Sequence, residues 1–329
     1  MEIGSKNIFN SLNIKNKQNN YCTAAPKIDI GNAKLKNLIK DTVSFSSNKK
    51  LSVAEQIDML QGDPFDNANK IKEILLQDMG LTKDCIQVEI LQAPQDDAYC
   101  DRFNMSTGNI LLHRNPNSTI KEVAITIRHE LEHFKQALGY VKNFGTEEYK
   151  KYVQESGNIE DIQTNCPNVS TKFNSKLWEN KKLYNAVDIT QEQCISYKKS
   201  FQERKQLELE PDSIYKNLKR IYLYYNDPQE KEAYKAQDDF ALELGAGVEN
   251  RISPTFMEEF SNIEKKIDEI RTKKPHFKKY IPLIFEKAYQ KGLAQYSIDD
   301  SYGVSEKDMK KLFDVIVSKL DNFLRKNDN

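Results

Sequence analysis

Five residues near the middle of the chain combine two imidazoles and a carboxylate at a spacing that suits metal chemistry. They are His129-Glu130-Leu131-Glu132-His133, an HExxH pattern. On a helix, residues four positions apart share a face, so His129 and His133 can both reach one zinc ion at about 2.0–2.1 Å. Glu130 follows about 100° further round the turn, where it can act as a general base on water without binding the metal. The pattern therefore predicts a zinc-dependent hydrolase.

The motif needs a helix whose opposite face packs into the core. Thr119 and Glu122 form a capping-box signature that predicts the helix start, and Gly139 predicts its end. Thr126 and Gln136 share the histidine face and suit the floor of a cleft. The apolar positions fall in one sector opposite the histidines: Ile120, Val123, Ala124, Ile127, Leu131, Phe134 and Leu138. A further side is expected to be solvated and carries Arg128, Glu132 and Lys135.

A catalytic zinc takes three protein ligands and leaves a fourth position for water, so a third ligand must come from elsewhere in the chain. Asp227 and Pro228 predict the start of a second helix, in which Glu230 is the third residue and is expected to close a capping box. Glu232, beside small residues that allow close helix packing, is the first choice as the third ligand, with Glu230 in reserve. Carboxylates nearer to the motif stay open as substitutes: Glu147, Glu148, Glu155, Glu160 and Asp161.

The HExxH motif and the later Pro-x-Glu-x-Glu-Ala segment together resemble the gluzincin branch of the zincin metallopeptidases, over residues 82–245. The resemblance implies a helix-dominated α+β fold, in which a small sheet precedes the HExxH helix and its edge strand borders the cleft. It also implies that His129 and His133 bind Zn²⁺ and that Glu130 is the base. A peptide or protein substrate would bind in extended form along the edge strand.

Three short strands are predicted ahead of the motif helix, over 85–91, 98–103 and 109–113, because apolar and β-branched residues recur there between turn signals. If the third strand forms the sheet edge, its free backbone groups can pair with a substrate. A sheet without an exposed edge is the alternative.

A peptidase also needs a donor for the oxyanion that forms when water adds to an amide. Four tyrosines near the predicted ligand helix could supply it, and so could His113, although aromatic packing is the alternative for each tyrosine. The four are Tyr222, Tyr224, Tyr225 and Tyr234.

The chain divides into three predicted regions. Residues 1–50 read as a mobile polar leader, residues 51–250 as the zincin-like catalytic domain, and residues 251–329 as a C-terminal helical region. Two short helices are expected over 52–60 and 66–79. A helical insertion at about 141–211 is expected to be a solvated excursion, with a cover over the cleft as the alternative. The C-terminal helices are expected to bury their apolar faces on one another or on the catalytic unit, or else to bind a protein partner.

Composition excludes several other classes of protein. The 329 residues include 49 Lys and Arg against 49 Asp and Glu, so nothing global favours nucleic-acid binding. No apolar run is long enough to cross a membrane, and residues 1–20 lack the apolar stretch of a secretory signal. The five cysteines are scattered and indicate reduced thiols. A cytoplasmic protein is expected, with export by a non-standard route left open.

Two functions follow from these patterns. The leading one is a zinc metallopeptidase that uses Glu130 as its base. The alternative is a non-catalytic, mainly helical binding or effector protein whose HExxH sequence is vestigial.

Overall fold

A computed structural model describes residues 51–92, 101–248, 252–298 and 304–325. The predicted leader, residues 1–50, lies outside the described residues, as do the first three positions of the second predicted strand. The described chain is dominated by helices and contains one small mixed sheet, which confirms the predicted helix-dominated α+β class.

The sheet has three strands, β1 (Val88–Gln92), β2 (Arg102–Phe103) and β3 (Ile110–Arg114). Their order is β1-β3-β2, with β1 parallel and β2 antiparallel to β3. The third strand is therefore central, and the prediction that it could form the edge is wrong. A tight turn explains the pairing of β2 with β3: the Asn104 side chain accepts backbone hydrogen bonds within it, and Gly108 adopts a φ of 83°.

Two helices lie ahead of the sheet, α1 (Val53–Asp58) and α2 (Ala68–Asp78), close to where they were predicted. Asn69 of α2 binds the backbone of Val88 twice, donating to its carbonyl at 3.2 Å and accepting from its N–H at 3.0 Å. This side chain occupies backbone groups on the free side of β1. Among the described strands, β2 is the one left at the opposite edge.

The motif lies on α3 (Ile120–Phe144), the longest helix described. The Thr119–Glu122 capping box is present, and the predicted apolar positions are buried except for Ile120, which is partly buried. The helix ends at Gly145, whose φ is 87°, and not at Gly139. Gly139 instead permits a close approach, because a Cβ there would lie 2.4 Å from the Ile189 side chain.

One side of α3 is less exposed than its charges suggested. Glu132 is only 4% exposed, because Arg128 and Lys135 hold its carboxylate at 3.4 Å and 2.8 Å. The prediction of a solvated side is therefore wrong for Glu132, which is buried and forms ion pairs with Arg128 and Lys135.

Five helices follow α3 and pack on the same hydrophobic core. They are α4 (Thr146–Glu155), α5 (Asn158–Asn165), α6 (Ser175–Trp178), α7 (Lys181–Asn185) and α8 (Gln191–Glu208). The helix α5 packs on this core only through the partly buried Ile159. Tyr149, Trp178 and Tyr197 are buried in this core, and the Trp178 indole donates to the Ser106 carbonyl at 3.0 Å. The solvated excursion expected at 141–211 is therefore wrong, because its aromatic residues complete the core around α3.

A second hydrophobic core is built from the helices near the C-terminus. These are α9 (Ile214–Asn226), α11 (Pro254–Lys273), α12 (Ile281–Tyr296) and α13 (Glu306–Arg325). The predicted apolar faces meet there, with Phe260 and Leu312 fully buried. The second core starts at α9, ahead of the predicted boundary at residue 251. Binding of a protein partner by these helices stays a prediction.

Between α9 and α11, the helix α10 (Pro228–Glu243) returns to the first core and packs along α3. Its Ala233, Phe240 and Ala241 are buried. The α9–α10 junction therefore links the two cores, and it brings the predicted ligand helix beside the motif.

Candidate metal centre

The two motif histidines point their Nε2 atoms at each other from successive turns of α3. These atoms are 3.2 Å apart, and the rings are nearly perpendicular. Their side chains are only 10% and 17% exposed for His129 and His133, respectively. Burial of the opposite face of α3 fixes the direction in which both imidazoles point.

Glu230 supplies the carboxylate at this pair. Its Oε2 lies 3.7 Å from Nε2 of both His129 and His133, and the three residues form a group that could hold a metal ion. The structure thus brings Glu230, and not Glu232, to the histidines. Glu230 therefore takes the place of Glu232, the residue that the sequence analysis preferred, as the candidate third ligand. Glu230 had been given a capping role, but the cap of α10 is Asp227, which accepts from the Gln229 N–H at 2.8 Å.

The geometry and the donor set fit a metal. A tetrahedral ion with bonds of about 2.0–2.1 Å keeps its ligand atoms about 3.3 Å apart, close to the observed 3.2 Å and 3.7 Å. Glu230 Oε2 is buried, and the two histidine Nε2 atoms at 3.7 Å lie beyond ordinary hydrogen-bond distance from it. A buried carboxylate oxygen is costly unless it is hydrogen-bonded or paired with a charge, so this arrangement favours a cation between the three side chains.

Charge within the cluster favours the ionic forms of two ligands. Burial opposes ionisation of Glu230, but the adjacent His133 outweighs it and lowers the pKa of Glu230 to about 2. Burial also opposes a charge on His133, yet the Glu230 carboxylate raises its pKa to about 9. The metal-free cluster therefore keeps a proton on His133, and a metal ion must displace that proton when it binds.

Glu130 is buried beside the ligands and lines the same cleft. Burial is the largest cause that raises its pKa to about 7, while the neighbouring His133 acts in the opposite direction. A carboxyl group with a pKa near neutrality can both take up and release a proton at physiological pH.

Gln136 and Glu232 lie behind His133, in a second layer around the site. The Gln136 Oε1 is 2.9 Å from His133 Nδ1, the ring nitrogen that faces away from Glu230. The Gln136 Nε2 lies 3.3 Å from Glu232 Oε2. Glu232 therefore contacts the metal site through Gln136. Sequence reasoning had placed Gln136 on the histidine face but gave it no role.

A cleft of about 1030 Å³ opens over these residues. The edge strand β2 contributes Arg102 and Phe103 to its wall, and Asp101 precedes them. On another side, α4 and α8 contribute Tyr152 and Arg204, so helices of the predicted insertion do border the cleft. Of the nearer carboxylates kept as substitute ligands, Glu155 and Asp161 line the cleft but are not part of the metal-ligand group.

The structure separates the candidate oxyanion donors. Tyr222 packs on Phe260 of the second core, with ring centroids 5.1 Å apart, and neither it nor His113 is among the cleft-lining residues. Tyr224, Tyr225 and Tyr234 do line the cleft.

Tyr234 lies close to one of the ligands. Its ring lies 4.7 Å from that of His129, and its hydroxyl is 3.1 Å from the Tyr224 hydroxyl. Burial and the charge of Glu230 raise the pKa of Tyr224, so that hydroxyl keeps its proton.

In comparisons with known proteins, no family model, curated protein or solved structure matches the chain. Within the described ranges, no helix combines the length and apolar character that a membrane span needs. The proposed function therefore rests on the geometry of the site.

Proposed function

We propose that the protein is a zinc-dependent peptidase of the gluzincin type. The observation that carries this proposal is the convergence of His129, His133 and Glu230 beside Glu130 in one open cleft. Two imidazoles and one carboxylate, with space for a further ligand, form a donor set typical of catalytic zinc. When bound, zinc would supply a Lewis acid that polarises a carbonyl and makes water a stronger nucleophile.

Glu130 provides the proton transfers that peptide hydrolysis requires. Its carboxylate takes a proton from the attacking water, whose oxygen forms the new bond to the carbonyl carbon. The carbon–nitrogen bond then breaks, and Glu130 gives that proton to the leaving amine. The pKa of about 7, raised mainly by burial, suits a group that must act first as base and then as acid.

The edge strand supports a substrate that binds through its backbone. Arg102 and Phe103 belong to the outer described strand and also line the cleft. The Asn158 side chain donates to the Phe103 carbonyl at 3.1 Å, so an extended peptide would add to this edge through the remaining backbone groups of β2. Main-chain hydrogen bonds of this kind depend little on the side chains of the substrate. The sequence had offered the third strand as a possible edge, and this proposal assigns the substrate-binding edge to β2 instead.

Metal content is the first test. Protein purified without chelator and without a His tag should contain about one zinc per chain by mass spectrometry, and a His129→Ala variant should contain none. Zinc-free wild-type protein would contradict the proposal.

Turnover is the second test. A library of unstructured peptides should be cleaved by the wild type, while Glu130→Gln should keep its zinc and lose at least about 10²-fold in rate, because the amide cannot take the proton. Activity retained by Glu130→Gln would rule out the proposed base, and wild-type protein that binds zinc but cleaves no peptide would favour a non-catalytic role.

A further inference from the structure

We propose that Glu232 is a positioning residue for the metal centre. Through Gln136, it holds the His133 proton on Nδ1 and so presents the lone pair of Nε2 to the metal. This inference rests on the metal site of the proposed function, but it does not depend on peptidase activity.

The direction of each hydrogen bond can be followed from a backbone amide that can only donate. The Thr190 N–H donates to Gln193 Oε1 at 2.9 Å, within the capping box of α8. This bond leaves the amide nitrogen of Gln193 facing Glu232, where it donates to Oε1 at 3.1 Å. The orientation of the Gln193 amide is therefore fixed by the cap.

The other oxygen of Glu232 receives two further donors. The Tyr197 hydroxyl donates to Oε2 in a short hydrogen bond, and Gln136 Nε2 donates to the same oxygen at 3.3 Å. Tyr197 is 1% exposed, and burial, together with Glu232, raises its pKa, so its hydroxyl keeps the proton that it donates. Glu232 thus acts only as an acceptor, towards three separate side chains.

Gln136 lies between Glu232 and His133, and its orientation determines which nitrogen of His133 carries the proton. Its Nε2 also donates to the Gln229 carbonyl at 2.9 Å, so its amide nitrogen faces two acceptors. Its Oε1 must then face His133, where it can only accept, and Nδ1 at 2.9 Å carries the proton. Gln136 has no solvent exposure, so the surrounding packing holds this orientation.

The consequence for metal binding follows from imidazole chemistry. A neutral imidazole with its proton on Nδ1 has its lone pair on Nε2, the atom that faces His129 and Glu230. Outer partners of this kind orient a ligand and raise its basicity, and their loss typically weakens metal binding by about 10–100-fold. Glu232 therefore affects the metal without touching it.

The first test removes the charge of Glu232 and keeps its shape. Glu232→Gln should weaken zinc binding by about 10-fold or more, measured by competition with a chromophoric chelator, because its new amide can turn a donor towards Gln136. The absorption of bound Co²⁺ should change as well, since the His133 ring is held less firmly. The matched control is Glu243→Gln, at an exposed position on the same helix, which should bind as the wild type does.

The second test reverses the polarity of the contact. Gln136→Glu alone places two carboxylates against each other and should weaken zinc binding. Combined with Glu232→Gln, the carboxylate at position 136 can accept from both His133 Nδ1 and the new amide, so affinity should rise above that of Gln136→Glu. It should stay below the wild-type value, because the Gln229 carbonyl then faces an oxygen in place of the amide nitrogen that donated to it. A residue that only fills space would not give this rescue.

Nitrogen NMR of His133 in the zinc-loaded protein provides a direct readout. The wild type and the double variant should show a slowly exchanging Nδ1 proton, and Glu232→Gln should show faster exchange. Unfolding temperatures of the metal-free variants, within a few degrees of the wild type, would show that all of them fold.

The outcomes separate the two proposals. If the wild type binds zinc and Glu232→Gln binds it as tightly as Glu243→Gln, the positioning role is refuted while the metal centre stands. If the double variant binds no better than the weaker single variant, the role is also refuted. If the wild type binds no zinc, both the positioning role and the proposed function fall.

Discussion

Glu230 and Glu232 are two positions apart on α10, but they have different neighbours. Glu230 faces the Nε2 atoms of both histidines, at 3.7 Å from each. Glu232 faces Gln193, Tyr197 and Gln136. Two positions on a helix differ by about 200° round its axis, so one residue can point to the cleft while the other points to α8. The same helix thus provides both the carboxylate that faces the histidines and the carboxylate that contacts Gln136 behind His133.

Removal of Glu230 should therefore affect metal binding more than removal of Glu232. We expect Glu230→Gln to weaken zinc binding by more than about 100-fold, beyond the range for an outer partner, because a direct ligand loses its charge. Calorimetric titration of zinc into both glutamine variants would measure this order. A larger loss in Glu232→Gln would restore Glu232 as the ligand.

The ligands illustrate how much of this site the sequence could predict. His129, Glu130 and His133 lie within one helix, and the Thr119–Glu122 cap that starts it is also local. Spacing along the chain was therefore sufficient to predict this helix and the common face of its two histidines. The choice between Glu230 and Glu232 depends on how α10 rotates against α3, which is set by contacts far apart in the chain. The position of β3 in the sheet depended in the same way on distant pairing.

At the scale of elements, the start of α10 positions Glu230, the proposed third ligand. Asp227 is fully buried, caps the helix through the Gln229 N–H, and pairs with Arg204 of α8 at 2.6 Å. Glu230 follows within the same first turn. The cap therefore determines both the direction in which α10 starts and the position of Glu230.

Variants of this cap should affect stability and metal binding in the same order. Asp227→Asn can keep the bond to the Gln229 N–H but loses the ion pair with Arg204, whereas Asp227→Ala loses both. We expect Asp227→Ala to lower the free energy of unfolding by about 2 kcal/mol or more and Asp227→Asn by less. Chemical denaturation and zinc titration of the same samples would test this order, which equal losses in the two variants would contradict.

A glycine in the middle of α3 has a packing role. A Cβ atom added at Gly139 would lie only 2.4 Å from the Ile189 side chain. Glycine usually weakens a helix interior, so its presence here is explained by the close approach of the segment before α8.

Gly139→Ala should consequently destabilise the protein although alanine favours helices. We expect the free energy of unfolding to fall by about 1–3 kcal/mol, as for other overpacked cores. Gly247→Ala is the control, since a Cβ there meets nothing within 4 Å. It should change stability by no more than about 0.5 kcal/mol. Urea unfolding would compare the two, and a stabilised Gly139→Ala would show that Ile189 moves aside freely.

At the scale of the whole molecule, the site connects two helices that are far apart in the sequence. The histidines come from α3, whereas Glu230 comes from α10, directly after a helix of the second core. A metal bound to all three residues therefore links parts of the native structure that are separate in the unfolded chain.

Removal of the metal should lower the thermal stability of the wild type. At a free zinc concentration about 100 times the dissociation constant, binding adds about 2.7 kcal/mol, which corresponds to roughly 5 °C in unfolding temperature. Scanning calorimetry with and without a chelator would measure the shift. The His129→Ala variant should show little difference, and a similar shift in that variant would indicate that the metal binds elsewhere.

The separation of these helices in sequence also determines when the centre can form. Gln136 and Glu232, which connect α3 to α10, are 96 positions apart. During synthesis the two histidines leave the ribosome long before the carboxylate, and contacts of such high order form late in folding. Metal loading would consequently be a late step, and a bound metal would close a long loop of the chain. Release of the metal would then be part of the barrier to unfolding, so a bound ion would prolong the lifetime of the folded protein.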